Sequence, residues 1–244
     1  MKPSVLTAIF ALALLLTFSL RAQAPAVVPA SSEPHHHLVL ENPYIRALRV
    51  SIPKSDATLL HEHKAPYVFV SLGPADFSNE VAGKPAARVK MVDGQVGYSR
   101  GGFVHLVRTD ADEPFNNVTV ELLRAQGEPR NLCDKIVPSD LGACDISGDP
   151  PNAPVGTRPL METDEIRVDA ITVRRNGDVM DKPHPRPGLL MAVSGAPIKV
   201  ARIPAVKTQT LHVGEMMWLP LAAQPRLTVE DGQETHLVLI SFKD

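Results

Sequence analysis

Glu41-Asn42-Pro43-Tyr44-Ile45-Arg46 and Glu162-Thr163-Asp164-Glu165-Ile166-Arg167 are one phrase written twice, 121 residues apart. Self-similarity at a fixed period is read before any element is assigned, because a duplicated unit sets the fold of both copies at once. Carried on without a gap, the same offset sets Ile52 against Val173 and His63 against His184. Farther along the offset is 120, so that Gly94 meets Gly214, Tyr98 meets Trp218, and Val118-Thr119-Val120 meets Val238-Leu239-Ile240. Identities are few, yet one slip of one residue keeps the register over about 80 positions. The pattern reads as an ancestral duplication with copies at 38–124 and 162–244. The stretch 125–161 between them, rich in Pro, Gly and Asp, reads as a linker.

Each copy reads as strands. Tyr44 to Ile52 alternates imperfectly, and Tyr67-Val68-Phe69-Val70-Ser71-Leu72 is a β-branched and aromatic run that ends at Gly73-Pro74. Val118-Thr119-Val120-Glu121-Leu122 closes the first copy. Short strands, frequent Gly and Pro, and no convincing amphipathic helix predict an all-β chain, with an antiparallel barrel or sandwich in each copy.

Composition sets the outer limits. The chain has 244 residues, 44% hydrophobic and 21% charged, with 23 Pro. That is enough to bury real cores, and too apolar for a disordered chain. A net charge of −2 argues against an electrostatic nucleic-acid binder, so no nucleic-acid partner is expected.

Lys2, the apolar run Val5 to Leu20, Arg21 and the small residues Ala22-Gln23-Ala24-Pro25-Ala26 have the layout of a secretory signal peptide. The run of 16 residues is short for a membrane span. Residues 1–26 are therefore expected to be a signal, cleaved after Ala24 or Ala26. The competing reading is an uncleaved anchor. Loss of Lys2 and Arg21, with no acid lost, takes the net charge from −2 to −4. The expectation is a secreted or periplasmic protein with no membrane association after cleavage. Cys133 and Cys144 would then meet an oxidising compartment and are expected to pair, closing a 12-residue loop. A metal pair is the weaker reading of these two cysteines, since their spacing matches no common metal motif. Residues 27–37, with His35-His36-His37, read as a flexible tail that could scavenge metal.

Three histidines of the first copy carry the chemistry. In His61-Glu62-His63, residues two apart on a strand share a face, so both imidazoles can aim inward while Glu62 faces away. His105 follows the turn Gly101-Gly102 and sits in Val104-His105-Leu106-Val107. Neutral imidazole suits divalent first-row ions, and three from neighbouring strands would leave coordination positions open.

These residues resemble the cupin superfamily, small jelly-roll barrels with two sequence motifs. In the first motif, G-x5-H-x-H-x3-E-x6-G, His61 and His63 match, Ser55 holds the first Gly place and Tyr67 stands where Glu would be. In the second, G-x5-P-x-G-x2-H-x3-N, Gly94, Gly102 and His105 match, while Arg100 and Thr109 replace Pro and Asn. The resemblance implies a bicupin, two jelly-roll β-barrels in tandem. His61, His63 and His105 would be ligands of one divalent transition metal: Fe, Mn, Zn, Ni or Cu. Tyr67 could be a fourth ligand, a catalytic proton donor or a packing residue. In the second copy Lys182, His184, Gly188 and Pro225 align with His61, His63, Tyr67 and His105, so that cupin reads as degenerate and structural, with Trp218 in its core.

The function that the resemblance implies is an exported metal-binding bicupin acting on a small molecule, with oxygenase chemistry of the quercetinase or cysteine-dioxygenase style, lyase chemistry and isomerase chemistry all open. With three neutral ligands an ion would keep its full charge, favouring an anionic or chelating substrate and acidifying bound water. The rival is a non-catalytic binding or scaffold protein of the storage type. Cupin barrels often pair through sheet edges, which leaves a homodimer open, although two barrels in one chain already meet that need.

Overall fold

The computed structural model describes residues 26–109, 112–133, 136–137, 143–144, 154–174, 177–178, 186–203, 208–230 and 232–243. Nearly all of the signal-like stretch lies outside them, as do the side chain of Cys144 and both Lys182 and His184. Among the described residues no helix is long and apolar enough to cross a membrane, and the one helical turn is the short 3-10 turn Ala30–Ser32.

The chain is all-β. The first half holds two sheets. One has the order Val28–Pro29, His61–His63, Phe103–Arg108, Ala75–Val81, Ala87–Met91. The other runs Ile136–Val137, Ala143–Cys144, Val96–Ser99, Tyr67–Ser71, Phe115–Leu122, Ile45–Ile52, His36–Glu41. The second half repeats this plan. Met216–Leu219, Gly188–Gly195, Thr235–Phe242, Ile166–Val173 and Val155–Glu162 take the order of the five strands from Val96–Ser99 to His36–Glu41. Gly177–Asp178, Gln224–Thr228, Ile198–Ile203 and Thr208–Leu211 do the same for the smaller sheet.

The ladders carry the offsets seen in the sequence. Val118 pairs Val70, and its counterpart Val238 pairs Met191, offsets of 120 and 121. Tyr67 pairs Ser99 where Gly188 pairs Leu219. A one-residue error would turn every side chain to the wrong face, so agreement in register is a strong statement.

Period-two alternation then decides what each half holds. In Phe115–Leu122 nearly every residue is buried, because both faces are covered. Val118, Val120 and Leu122 point to a core shared with Leu189, Met191, Val238 and Ile240 of the second half, so the two large sheets pack face to face. Phe115, Asn117 and Thr119 point the other way, into a cavity of the first half. The counterparts of Asn117 and Thr119 are Leu237 and Leu239, which join Leu190, Ile198 and Leu227 in an all-apolar core. The interior of the second half is filled with hydrocarbon where the first half keeps polar groups.

Glycine-type backbone supports the motif reading at one informative place. Ser55, in the first motif's Gly place, has a φ of 58°, a left-handed conformation that glycine adopts without strain.

Three expectations need correction. Residues 27–37 are not a loose tail. Val28–Pro29 pairs in parallel with His61 and Glu62, and Ala30, Glu33 and His36 are buried. The Pro- and Ser-rich composition suggested solvent, but the polar groups find partners inside. The stretch 125–161 is more than a linker: Arg130–Asn131 and Val155–Glu162 extend the second half's large sheet, and Ala143–Cys144 pairs the edge strand Val96–Ser99 of the first. Trp218 is not inside the second barrel. It is partly buried between the halves, 5.5 Å from the rings of both Tyr44 and Phe242.

Candidate metal centre

His61 and His63 sit on a three-residue strand and both are buried, while Glu62 between them is more open. His105 lies directly across the ladder from His61. The structure therefore brings the three sequence-predicted histidines together, with ring centroids 4.4 Å apart for His61 and His105, 5.1 Å for His61 and His63, and 5.3 Å for His63 and His105. A fourth ring joins them. His36 lies 4.8 Å from the ring of His61 and 5.8 Å from that of His63. One nitrogen from each of His36, His61 and His63 falls within 4.8 Å of the others.

Each ring has an acceptor at Nδ1. The Nδ1 of His61 donates to the carbonyl of Leu59 at 2.8 Å, and that of His105 donates to Asn79 Oδ1 at 2.8 Å. His63 donates to the Glu121 carboxylate at 3.3 Å, and His36 to the Glu33 carboxylate at 2.6 Å. A proton held at Nδ1 leaves the Nε2 lone pair of a neutral ring free, the tautomer that metal-bound histidines adopt. The Nε2 atoms of His61 and His105 are buried without a hydrogen-bond partner. Such an orphaned atom costs about 1–3 kcal/mol, and two side by side call for an occupant.

The electrostatics agree. Burial pushes the His61 imidazole down to about 4 and that of His105 down to about 2, the neighbouring rings adding to the effect. Burial lowers His36 as well, against the pull of Glu33. Burial thus favours the neutral form of His36, His61 and His105, the form in which an imidazole can hold a metal. Burial opposes ionisation of Glu33, but hydrogen bonds from His36, His35 and the Leu59 amide outweigh it and hold the carboxyl at about 2. Glu121 is likewise kept ionised against burial, by His63 and then Arg46. The donor set and its two carboxylate partners fit a divalent transition metal.

Tyr67 lies beside the cluster, its ring 4.5 Å from that of His63. Burial pushes its hydroxyl up to about 12, with a hydrogen bond to Ser99 acting the other way. Beyond the imidazoles opens a cavity of about 70 Å³, lined by Val50, Phe69, Phe77, Val107 and Phe115, with Asn79 and Asn117 among its polar groups. That is room for a handful of waters or a small organic molecule.

In the second half the aligned positions differ, except that His184 keeps the histidine of His63. Gly188 stands where Tyr67 does, and a Cβ there would meet the Ile240 carbonyl at 3.0 Å. Pro225, the counterpart of His105, has no ligating side chain, and Lys182 and His184 lie outside the described residues. His236 bonds Thr172 and Glu234, away from any such centre. Sequence reasoning set His36 in a loose tail that could scavenge metal, and it passed over Glu33 and Glu121. His36 was hidden in a run of three histidines beside prolines, where only the strand pairing of its neighbours singles it out.

No protein-family profile and no curated protein sequence matches the chain. Solved structures do. AerE from Microcystis aeruginosa superposes with a TM-score of 0.59 at 10% identity, over 87% of this chain and 99% of that one. A cupin 2 conserved barrel domain protein from Leptotrichia buccalis gives 0.55 at 9% identity, over 85% and 88%. Salicylate 1,2-dioxygenase from Pseudoaminobacter salicylatoxidans, in a complex with gentisate, gives 0.58 at 12% identity, over 82% of this chain and 69% of that one. At these identities the likeness is one of fold. The chain has the cupin fold, and its buried histidine cluster fits a cupin metal site.

Proposed function

We propose that the protein is an exported bicupin enzyme whose first half holds one divalent transition metal and acts on a small molecule. The observation that carries this is the pair of unpartnered, buried Nε2 atoms of His61 and His105, two residues that line one cavity. His61, His63 and His105 are the proposed ligands, and Leu59, Glu121 and Asn79 fix their rings. Fe, Mn, Zn, Ni and Cu all accept imidazole. When bound, such an ion supplies Lewis-acid activation of whatever occupies its open positions.

The residues around it do the rest. The apolar walls exclude water and seat an apolar body. Asn79 and Asn117 offer amide groups for its polar edge. Tyr67 is the proposed catalytic residue: burial keeps its hydroxyl protonated, the form in which it can hand a proton to substrate. No lysine or arginine lines the cavity among the described residues. An anionic substrate would find its counter-charge only at the metal, so a neutral or singly charged chelating molecule is the better fit. Among reaction classes, oxygenase chemistry draws support from the likeness to a dioxygenase, as analogy of fold alone. Lyase and isomerase reactions use the same groups.

The signal-like start and the expected Cys133–Cys144 bridge belong together, because a disulfide persists in an oxidising compartment. A homodimer has less behind it, since the large sheets already cover one another within the chain.

Elemental mass spectrometry of the purified mature protein tests the proposal beside a His61→Ala variant. About one Fe, Mn, Zn, Ni or Cu per chain, lost in the variant, is expected. A wild-type protein that takes up none of these ions on reconstitution would leave a scaffold of the storage type as the better account.

A further inference from the structure

The first cupin motif places a carboxylate four residues after His63, and this chain has Tyr67 there. A buried carboxylate reaches the centre by another route. Glu33 stands on the segment Val28 to His36, which lies along the strand that carries His61 and His63. Its side chain is fully buried. Oε1 accepts from the Leu59 amide at 3.1 Å and pairs with His35 Nδ1 at 3.0 Å, while Oε2 accepts from the His35 amide at 2.8 Å and from His36 Nδ1 at 2.6 Å. With four partners the carboxylate is saturated, and the imidazole of His36 is held by the shortest of these contacts.

Leu59 ties this segment to the ligand strand. Its amide goes to Glu33, and its carbonyl accepts from His61 Nδ1. The same short loop thus orients two imidazoles from opposite sides. The nitrogens of His36, His61 and His63 converge within 4.8 Å, and His61 in turn faces His105. A ring delivered this way, with its Nδ1 proton on a carboxylate, is the arrangement in which second-shell acids orient metal-bound histidines and raise their basicity.

We propose that His36 is a further ligand of the metal centre and that Glu33 is its positioning residue, so that the segment Val28 to His36 completes the site from outside both cupin motifs. This rests on the metal-binding reading given above. The ion then sees four imidazoles and no direct carboxylate. Negative charge sits one bond farther out, on Glu33 behind His36 and on Glu121 behind His63. One open position fewer remains for substrate than three ligands alone would leave.

The test uses the mature protein loaded with Cu(II), comparing wild type with His36→Ala, Glu33→Gln, His61→Ala and His37→Ala. Affinity is read by competition with a chelator, and coordinated imidazoles are counted by pulsed electron paramagnetic resonance. His37 is exposed, so His37→Ala is the control for losing a histidine from this run. Removing an orienting partner typically weakens binding 10–100-fold. A loss in that range is expected for Glu33→Gln, with an altered nitrogen signature, and a loss at least as large for His36→Ala, with one imidazole fewer. If His36→Ala does not fold, Glu33→Gln, which keeps the shape of the side chain, decides alone. Unchanged affinity and an unchanged nitrogen signature in these variants, while His61→Ala loses the ion, would overturn this inference and leave the metal reading standing. A wild type that binds no Cu(II) and none of the other ions would overturn both.

Discussion

His61 and His105 face each other across a strand pair with their rings 4.4 Å apart, and neither Nε2 has a hydrogen-bond partner. Two unfulfilled polar atoms weaken the empty fold, and an ion that satisfies them binds the folded state alone. At a free concentration 100 times Kd such a ligand adds about 2.7 kcal/mol. For a chain of this size that corresponds to a rise in Tm of roughly 5–10 °C. Differential scanning calorimetry with and without the bound metal should show this rise in the wild type and none in His61→Ala.

Acid should weaken the metal-stripped protein early. Burial pushes His61 down to about 4 and His105 down to about 2 in the fold, against 6.5 for the ordinary imidazole. The unfolded chain therefore binds more protons once pH drops below 6.5. Each group removes about 1.4 kcal/mol per pH unit from there, until its folded pKa is reached. Glu33 contributes the same sign at lower pH, between 4.5 and about 2. Urea midpoints measured from pH 6.5 to pH 5 should fall. The fall should be shallower in His105→Ala.

Asn79 accepts from His105 Nδ1 at 2.8 Å and thereby chooses its tautomer. Asn79→Ala should lower metal affinity about 10–100-fold while the content of β-structure stays unchanged. Chelator competition beside far-ultraviolet circular dichroism separates the two effects.

The ring of Tyr67 packs on His63, and its hydroxyl reaches Ser99. Tyr67→Phe keeps the ring and should retain the metal. Loss of the hydroxyl should lower thermal stability by about 1 kcal/mol. Once a substrate is in hand, turnover should drop at least 100-fold if the hydroxyl donates the proton. A Tyr67→Phe protein that loses its metal would instead make the tyrosine a ligand.

Gly97 shapes the cavity from behind. A Cβ at this position would lie 2.2 Å from Phe69 Cζ and 2.6 Å from Cε1. Gly97→Ala has to push the Phe69 ring into the cavity, an overpacking that costs about 1–3 kcal/mol. A lower denaturant midpoint, with binding of small apolar ligands reduced and metal content unchanged, is the expected result.

How far the sequence carries follows from what each feature depends on. The duplication was legible because register is a property of spacing: Val118 and Val238 hold equivalent places whether or not their neighbours agree. His61, His63 and His105 were legible because a strand fixes which side chains share a face. The place of His36 beside them was not, since it depends on Glu33 turning back to meet the loop at Leu59, a contact 26 residues away with no periodic trace. The placement of Trp218 was missed for a related reason. Alternation says that a residue changes face, but whether that face meets solvent, its own barrel or the other half is settled only by how the sheets pack.

The shared wall between the halves has a further consequence. Val118, Val120 and Leu122 on one side and Leu189, Val238 and Ile240 on the other would be bare hydrocarbon if the halves parted. A barrel that relied on a separate chain to cover this face would lose its cover on dilution. Here the cover is tethered, and its effective concentration does not depend on how much protein is present. The interior of the second half is meanwhile packed with leucine, isoleucine and valine. The second half thus keeps the apolar back of the histidine-bearing half covered at any dilution.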